Sequence, residues 1–162
     1  MKVSWEQFRA DWAGTCGGEE EEIRSIYEGI RLPVRATSGS AGYDFFCPSD
    51  LTLAPGESVK IPTGIRVRMG EEWVLACFPR SGLGFKYRLQ LDNTVGIIDS
   101  DYFGSSNEGH IFARITNDGK EGKTLTLRAG DGFMQGIFLP FGLTEDDCAD
   151  GVRDGGFGST SR

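Results

Sequence analysis

The sequence predicts an all-β protein of the sandwich or barrel kind. Three observations carry this. Short runs rich in Val, Ile, Leu, Phe and Thr recur from Ile30 onward. Clusters of Gly, Pro, Asn and Asp separate them. Glycine is in excess, 24 of 162 residues, about twice the usual ~7% share; without a collagen-like period, these glycines read as turns, bulges and chain ends. Many short strands at close spacing with turn signals between them pack as a sandwich or close as a barrel.

The elements follow in order. Ser4-Trp5-Glu6-Gln7 fits a capping box, with Ser4 as N-cap and Gln7 at the third helical position. Trp5, Phe8 and Trp12 follow at helical spacing and Gly14 can end the helix. The run Glu19 to Glu22 reads as a solvated acidic stretch, so residues 1–28 form an accessory helix and linker that docks by its aromatic face. Strands are expected at Ser58 to Ile61, Gly64 to Arg68, Trp73 to Phe78, Val95 to Ile98, His110 to Thr116, Lys123 to Leu127 and Phe133 to Leu139. In Gly64 to Arg68, Ile65 and Val67 point one way and Arg66 and Arg68 the other. One short internal helix starts near Ser81. Residues 29–143 make the β core. Residues 144–162 are acidic and then glycine-rich, a composition that packs no core and suits a flexible C-terminal arm.

Counting excludes several functions. With 17 Lys and Arg against 24 Asp and Glu, the formal charge is −7, a poor balance for wrapping duplex nucleic acid. A single histidine, His110, rules out a two-histidine zinc site within one chain. Cys16, Cys47, Cys77 and Cys148 form no C-x-x-C pair. No window approaches a membrane span, and no basic region followed by an apolar core marks a secretory signal. Reduced, mostly buried thiols in a cytoplasmic protein are expected.

Five short stretches can carry chemistry. Pro79-Arg80-Ser81-Gly82 follows an apolar strand and opens a helix; a guanidinium, a hydroxyl and open N–H groups there form a phosphate cradle, or a helix cap beside an ion pair. Asn93 through Tyr102 runs apolar residues into Asp99-Ser100-Asp101, which places a carboxylate at a strand end, or makes a plain turn. Ser40-Ala41-Gly42-Tyr43-Asp44 could hold a metal-bound water or close a turn. Gly130-Asp131-Gly132-Phe133-Met134-Gln135 is a tight turn feeding a strand, and Gln135 offers an amide to a ligand or to buried backbone. In the tail, Phe157 between glycines, with Ser159, Thr160 and Arg153 near it, suits a lid that stacks on a base and reaches phosphates.

Together, in this order, the stretches resemble the five motifs of the trimeric dUTP pyrophosphatase (dUTPase) family, and Ile61-Pro62-Thr63-Gly64-Ile65 is also similar to it. The resemblance runs from about Tyr27 to Arg162. It implies a jelly-roll-like β fold, a homotrimer with active sites shared between subunits, and hydrolysis of dUTP to dUMP and pyrophosphate with Mg²⁺ on the triphosphate. By resemblance, Asp99 is the general base that aims water at the α-phosphorus. Arg80 holds that carboxylate or the phosphates, and Asp44 orients a water on Mg²⁺, which relies on few protein ligands. Asn93, Gly96 and Ile98 form the uracil-reading edge, Tyr102 lies against the deoxyribose, and Phe157 stacks over the base. Ser81, Gly82, Gln135, Arg153, Ser159 and Thr160 face the phosphates.

The chain departs from the family at Phe103-Gly104, where a basic residue is common and an extra loop runs through Gly109. Gly132 also stands where a basic residue is common. One fewer residue separates Arg153 from Gly155-Gly156 than in the commonest pattern, and Ser161 replaces a glycine. Two rival functions remain to be distinguished. One is dCTP deamination on the same fold, although that branch lacks the Asp-x-Asp-Tyr run. The other is binding of a protein partner, with the aromatic N-terminal segment as the contact surface.

Overall fold

The computed structural model describes residues 1–151 and 153. Two helices come first, α1 (Trp5–Thr15) and α2 (Glu20–Gly29). Ten strands follow: β1 (Val34–Arg35), β2 (Tyr43–Phe46), β3 (Leu51–Leu53), β4 (Ser58–Pro62), β5 (Trp73–Pro79), β6 (Leu89–Leu91), β7 (Gly96–Ile98), β8 (Phe112–Asn117), β9 (Leu125–Leu127) and β10 (Gly132–Pro140). The short helix α3 (Ser81–Tyr87) links β5 to β6, and a 3₁₀ turn over Ser100–Gly104 follows β7.

The strands form three antiparallel sheets, ordered β1-β2-β10-β5-β7, β4-β8-β6 and β3-β9. Partners such as β2 and β10, or β4 and β8, lie far apart in sequence, the crossover connectivity of a jelly-roll-like sandwich. No closed barrel is present among the described residues. Alternation puts Leu53, Ile61, Leu75, Ala113, Ile115, Leu125 and Leu127 inward from all three sheets, and they meet in one core.

The stretch Gly64 to Arg68 is not a strand. Gly64 has φ +73°, which breaks the pleat, and only Ile65 keeps a bridge, to Lys2. Its backbone is satisfied by the N-terminus instead: Val3 N–H donates to the Gly64 carbonyl (3.0 Å) and Arg66 N–H to that of Met1 (2.9 Å). At Gly64 the approach is also close. A Cβ there would lie 2.3 Å from Ile30 Cδ1 and 3.3 Å from the Phe8 ring.

The N-terminal segment is more ordered than its composition suggests. Ser4 caps α1 by accepting the Gln7 N–H (3.1 Å), but Gln7 does not return the bond: its amide goes to Asp11 (2.8 Å), and Ser4 N–H donates to Glu108. The acidic run is the first turn of α2, where carboxylates favour the positive end of the helix dipole. Val3, Phe8, Trp12 and Ile23 are buried in the same core as the sheets. The aromatic face of α1 is therefore spent inside the chain, which removes it as a partner surface. Of the cysteines, Cys47 and Cys77 are buried and Cys16 and Cys148 exposed, all as free thiols.

Candidate active site

β6 and β7 flank the Asn93 segment but do not pair with each other. β6 joins β8 and β7 joins β5, so the chain crosses between sheets at Asp92–Val95 and leaves a gap there. The crossing is a tight turn: Thr94 has φ +63° and its N–H donates to the Leu91 carbonyl (2.8 Å). The gap is a cavity of about 580 Å³ lined by Asn93, Gly96, Ile98, Asp99, Tyr102 and Arg153 among others, a size that suits a nucleoside-scale ligand. Gly96 packs closely on the wall: a Cβ there would sit 3.2 Å from Cys77 Cβ, so a larger residue would have to displace its neighbour slightly. Burial pushes the Cys77 thiol up to about 12, so it lines the wall as a neutral apolar group.

Asp99 lies between the end of β7 and the 3₁₀ turn, which makes its carboxylate a fixed, half-exposed group at the cavity rim. Arg153 spans both acids, with Nη2 on Asp99 and Nε 2.8 Å from Asp101 Oδ1. Tyr102 is buried, and its hydroxyl is fully used by the protein: it donates to the His110 carbonyl (2.7 Å) and accepts from Asn107 Nδ2 (2.8 Å). Burial, first among its causes, raises the phenol's pKa. What Tyr102 offers the cavity is therefore its ring.

The remaining predicted residues gather elsewhere. Asp44 on β2 lies opposite Gln135 on β10, and Arg80 Nε stands 3.4 Å from Asp44 Oδ1. Gln135 Nε2 donates to the Pro79 carbonyl (3.4 Å). Ser81 and Gly82 are exposed at the start of α3, directly after Arg80. The Arg80 side chain lies over the bare backbone of Gly132, where a Cβ would fall 2.4 Å from a guanidinium nitrogen and would shift that flexible chain. Phe157, Ser159 and Thr160 lie outside the described residues.

These two clusters occupy opposite ends of β5. Ile98, just before Asp99, pairs with Leu75, whereas Arg80 follows Pro79. Leu75 to Pro79 alone spans roughly 13 Å of extended chain, with Asp99 and Arg80 beyond either end. Within one chain Arg80 pairs with Asp44 and Asp99 with Arg153.

Sequence reasoning missed His110, which entered only as an argument against zinc. It is fully buried. Its Nε2 accepts the Gly64 N–H (2.8 Å), which fixes the proton on Nδ1, 2.6 Å from Asp11 Oδ2. Burial, the largest cause, lowers its pKa against the opposing pull of Asp11. Nothing in the sequence ties residues 11 and 110 together. Asn107 also went unnoticed, although it sits in the loop that departs from the family.

Comparison with known proteins identifies the family. The dUTPase family model matches residues 28–161. The chain belongs to the dUTPase family. It is 40% identical over 135 residues to the deoxyuridine 5'-triphosphate nucleotidohydrolase of Lactococcus lactis, covering 82% of this chain and 89% of that one. The Escherichia coli enzyme of the same name is 40% identical over 139 residues, covering 81% and 87%. Among solved structures, the Streptococcus mutans dUTPase superposes with a TM-score of 0.63 at 40% identity, over 73% of this chain and 91% of that one. A mutant dUTPase of Staphylococcus aureus phage phi11, described as coordinating a structural Mg(II) ion, shares the fold with a TM-score of 0.61 at 24% identity, over 76% and 92%.

Proposed function

We propose that the dUTP diphosphatase activity of this family member runs by in-line attack of water, held and deprotonated by Asp99, on the α-phosphorus of dUTP. The observation that carries this reading is the shared cavity. Asp99, Tyr102, Asn93, Gly96 and Ile98 line one nucleoside-sized gap. Uracil pairs with the backbone of β7 and with Asn93, and this fixed edge selects against the amino group of cytosine. The Tyr102 ring closes on the sugar where a ribose 2′-hydroxyl would sit. Asp99 at the rim accepts the proton of the attacking water as the phosphorus–oxygen bond forms, and pyrophosphate departs with the electron pair of the breaking bond. Arg153 must release Asp99 for that water to approach.

Positioning and charge neutralisation supply most of the rate in such chemistry. Arg80, Ser81, Gly82 and Gln135 hold the phosphate chain. Asp44, 3.4 Å from Arg80, would orient a water on Mg²⁺ carried by the triphosphate. When bound, Mg²⁺ neutralises phosphate charge. Residues 154–162, with Phe157, Ser159 and Thr160, act as a lid over base and phosphates.

The distance between Asp99 and Arg80 along β5 supports a shared site in a homotrimer, in which one copy's Arg80 cluster faces another's cavity. Mixing Asp99→Asn with Arg80→Ala chains tests this. Each alone is expected to be nearly inactive, and the refolded mixture to regain up to about a quarter of wild-type activity if sites form between random neighbours. No recovery would place both residues in one chain's site. No described helix is long and apolar enough to cross a membrane, and the free thiols fit a cytoplasmic protein.

Pyrophosphate release with Mg²⁺ from dUTP, dCTP, dTTP and UTP tests the substrate reading. Release from dUTP is expected to exceed the others by at least about a hundredfold, because a steric wall and an unpaired polar group act together. Comparable release from dTTP or UTP would overturn the assigned base or sugar filter. Ammonia from dCTP would move the chain to the deaminase branch.

A further inference from the structure

The family match begins at residue 28, so Ser4 and Asp11 belong to a segment the activity does not explain. Yet both contact the loop that holds Tyr102. Ser4 N–H and Oγ donate to the Glu108 carboxylate at 2.8 and 2.5 Å. Asp11 accepts from His110 Nδ1 at 2.6 Å. Glu108 and His110 bracket Gly109, and this loop is what fastens Tyr102 through the Asn107 amide and the His110 carbonyl.

The loop has bonds of its own, Glu108 N–H to the Ser105 carbonyl (2.8 Å) and His110 N–H to that of Asn107 (3.1 Å), but its backbone is strained. Glu108 has φ +59°, a region a glutamate rarely adopts. Gly109 has φ +70°, and a Cβ there would fall 2.6 Å from the Tyr102 carbonyl oxygen. Asn107 Oδ1 accepts the Gly109 N–H (3.1 Å), and Arg66 stands 3.4 Å from Glu108. A strained loop needs outside contacts to over-determine it. α1 supplies two of them, one on each side of Gly109. The imidazole makes the second contact directional: with Nε2 occupied by the Gly64 N–H, only Nδ1 can donate, and Asp11 is where it points.

We propose that Ser4 and Asp11 are positioning residues: through Glu108 and His110 they pin the loop that holds the Tyr102 ring, and so set how strongly the enzyme rejects a ribonucleotide. This rests on the reading of Tyr102 as the wall against the 2′-hydroxyl. The N-terminal helix is thereby a specificity element of the site and not an appendage.

Full-length variants, assayed with Mg²⁺ on dUTP and UTP, test it. In Asp11→Ala, kcat/KM for UTP relative to dUTP is expected to rise about tenfold. The loss on dUTP should fall mainly on KM, with kcat within about twofold, since the tether acts on sugar packing and not on Asp99. Amide exchange at Asn107 to Phe112 should speed up. Asp11→Asn keeps an acceptor for Nδ1–H and should restore both readouts. Ser4→Ala removes the Oγ half of the other tether and keeps the backbone N–H bond to Glu108; it leaves His110 buried and should move both in the same direction by a smaller amount, and it serves if Asp11→Ala does not fold. A lower melting temperature with an unchanged UTP to dUTP ratio in both variants would overturn the proposal. Tyr102→Ala separates the two layers. If it leaves the ratio unchanged, the reading of Tyr102 has failed; if it alone shifts the ratio, the tether has.

Discussion

Replacing Asp99 by asparagine is expected to lower kcat on dUTP by about a thousandfold, within the ~10²–10⁴ range a positioned general base contributes. That is about 4 kcal/mol of transition-state stabilisation. Asparagine matches the carboxylate in shape but cannot take a proton from water. Binding should survive, because the base edge, Tyr102 and the phosphate contacts are untouched. Stability should also survive. Asp99 is half-exposed, and Arg153 keeps Asp101 as a partner. Pyrophosphate release, set beside calorimetric binding of a non-hydrolysable dUTP analogue, separates the two effects. Near-normal turnover would remove Asp99 as the base and point to another acceptor at the cavity rim.

The strands were legible where an apolar, β-branched run is long and bounded by turn residues. β4, β5, β8 and β10 fall where those runs place them, to within a residue or two, whereas the three-residue β3 and β6 went unpredicted. Gly64 to Arg68 alternates yet is no strand, because one positive φ at Gly64 turns the backbone toward Met1 and Val3. Alternation reports which side chains are buried, not which backbone covers them. The nucleoside half of the site was legible for a related reason. Asn93, Gly96, Ile98, Asp99 and Tyr102 are near neighbours in sequence, so one crossing between sheets brings them together. The separation of Arg80 from Asp99 was not legible. It depends on β7 pairing antiparallel with β5 at Leu75, a register that only the folded sheet defines. His110 was hidden for the opposite reason: its partners, Asp11 and Gly64, are distant in sequence and each is unremarkable alone.

Phe8→Ala is expected to lower the melting temperature by about 10 °C at fixed protein concentration. Truncating a buried phenylalanine costs about 3–5 kcal/mol, and each kcal/mol shifts a domain of this size by ~2–4 °C. Phe8 has no exposed surface. Its ring meets Trp12 at 5.3 Å, Tyr27 at 5.4 Å and His110 at 6.1 Å between centroids, and it closes over Gly64. An accessory helix that merely docked could lose this side chain and leave the β core melting as before. Here the hole opens between α1, α2 and the turn that carries Gly64, all within the cluster that includes Ile61 and Ile115. The loss should therefore appear as one cooperative transition moved down, not as an early step ahead of an unchanged main one. Glu21→Ala, on the exposed face of α2, is the control and should shift the midpoint by less than about 2 °C. A small early transition with the main melt unmoved would mean that the helices fold as a separate layer, and that Phe8 stabilises only that layer.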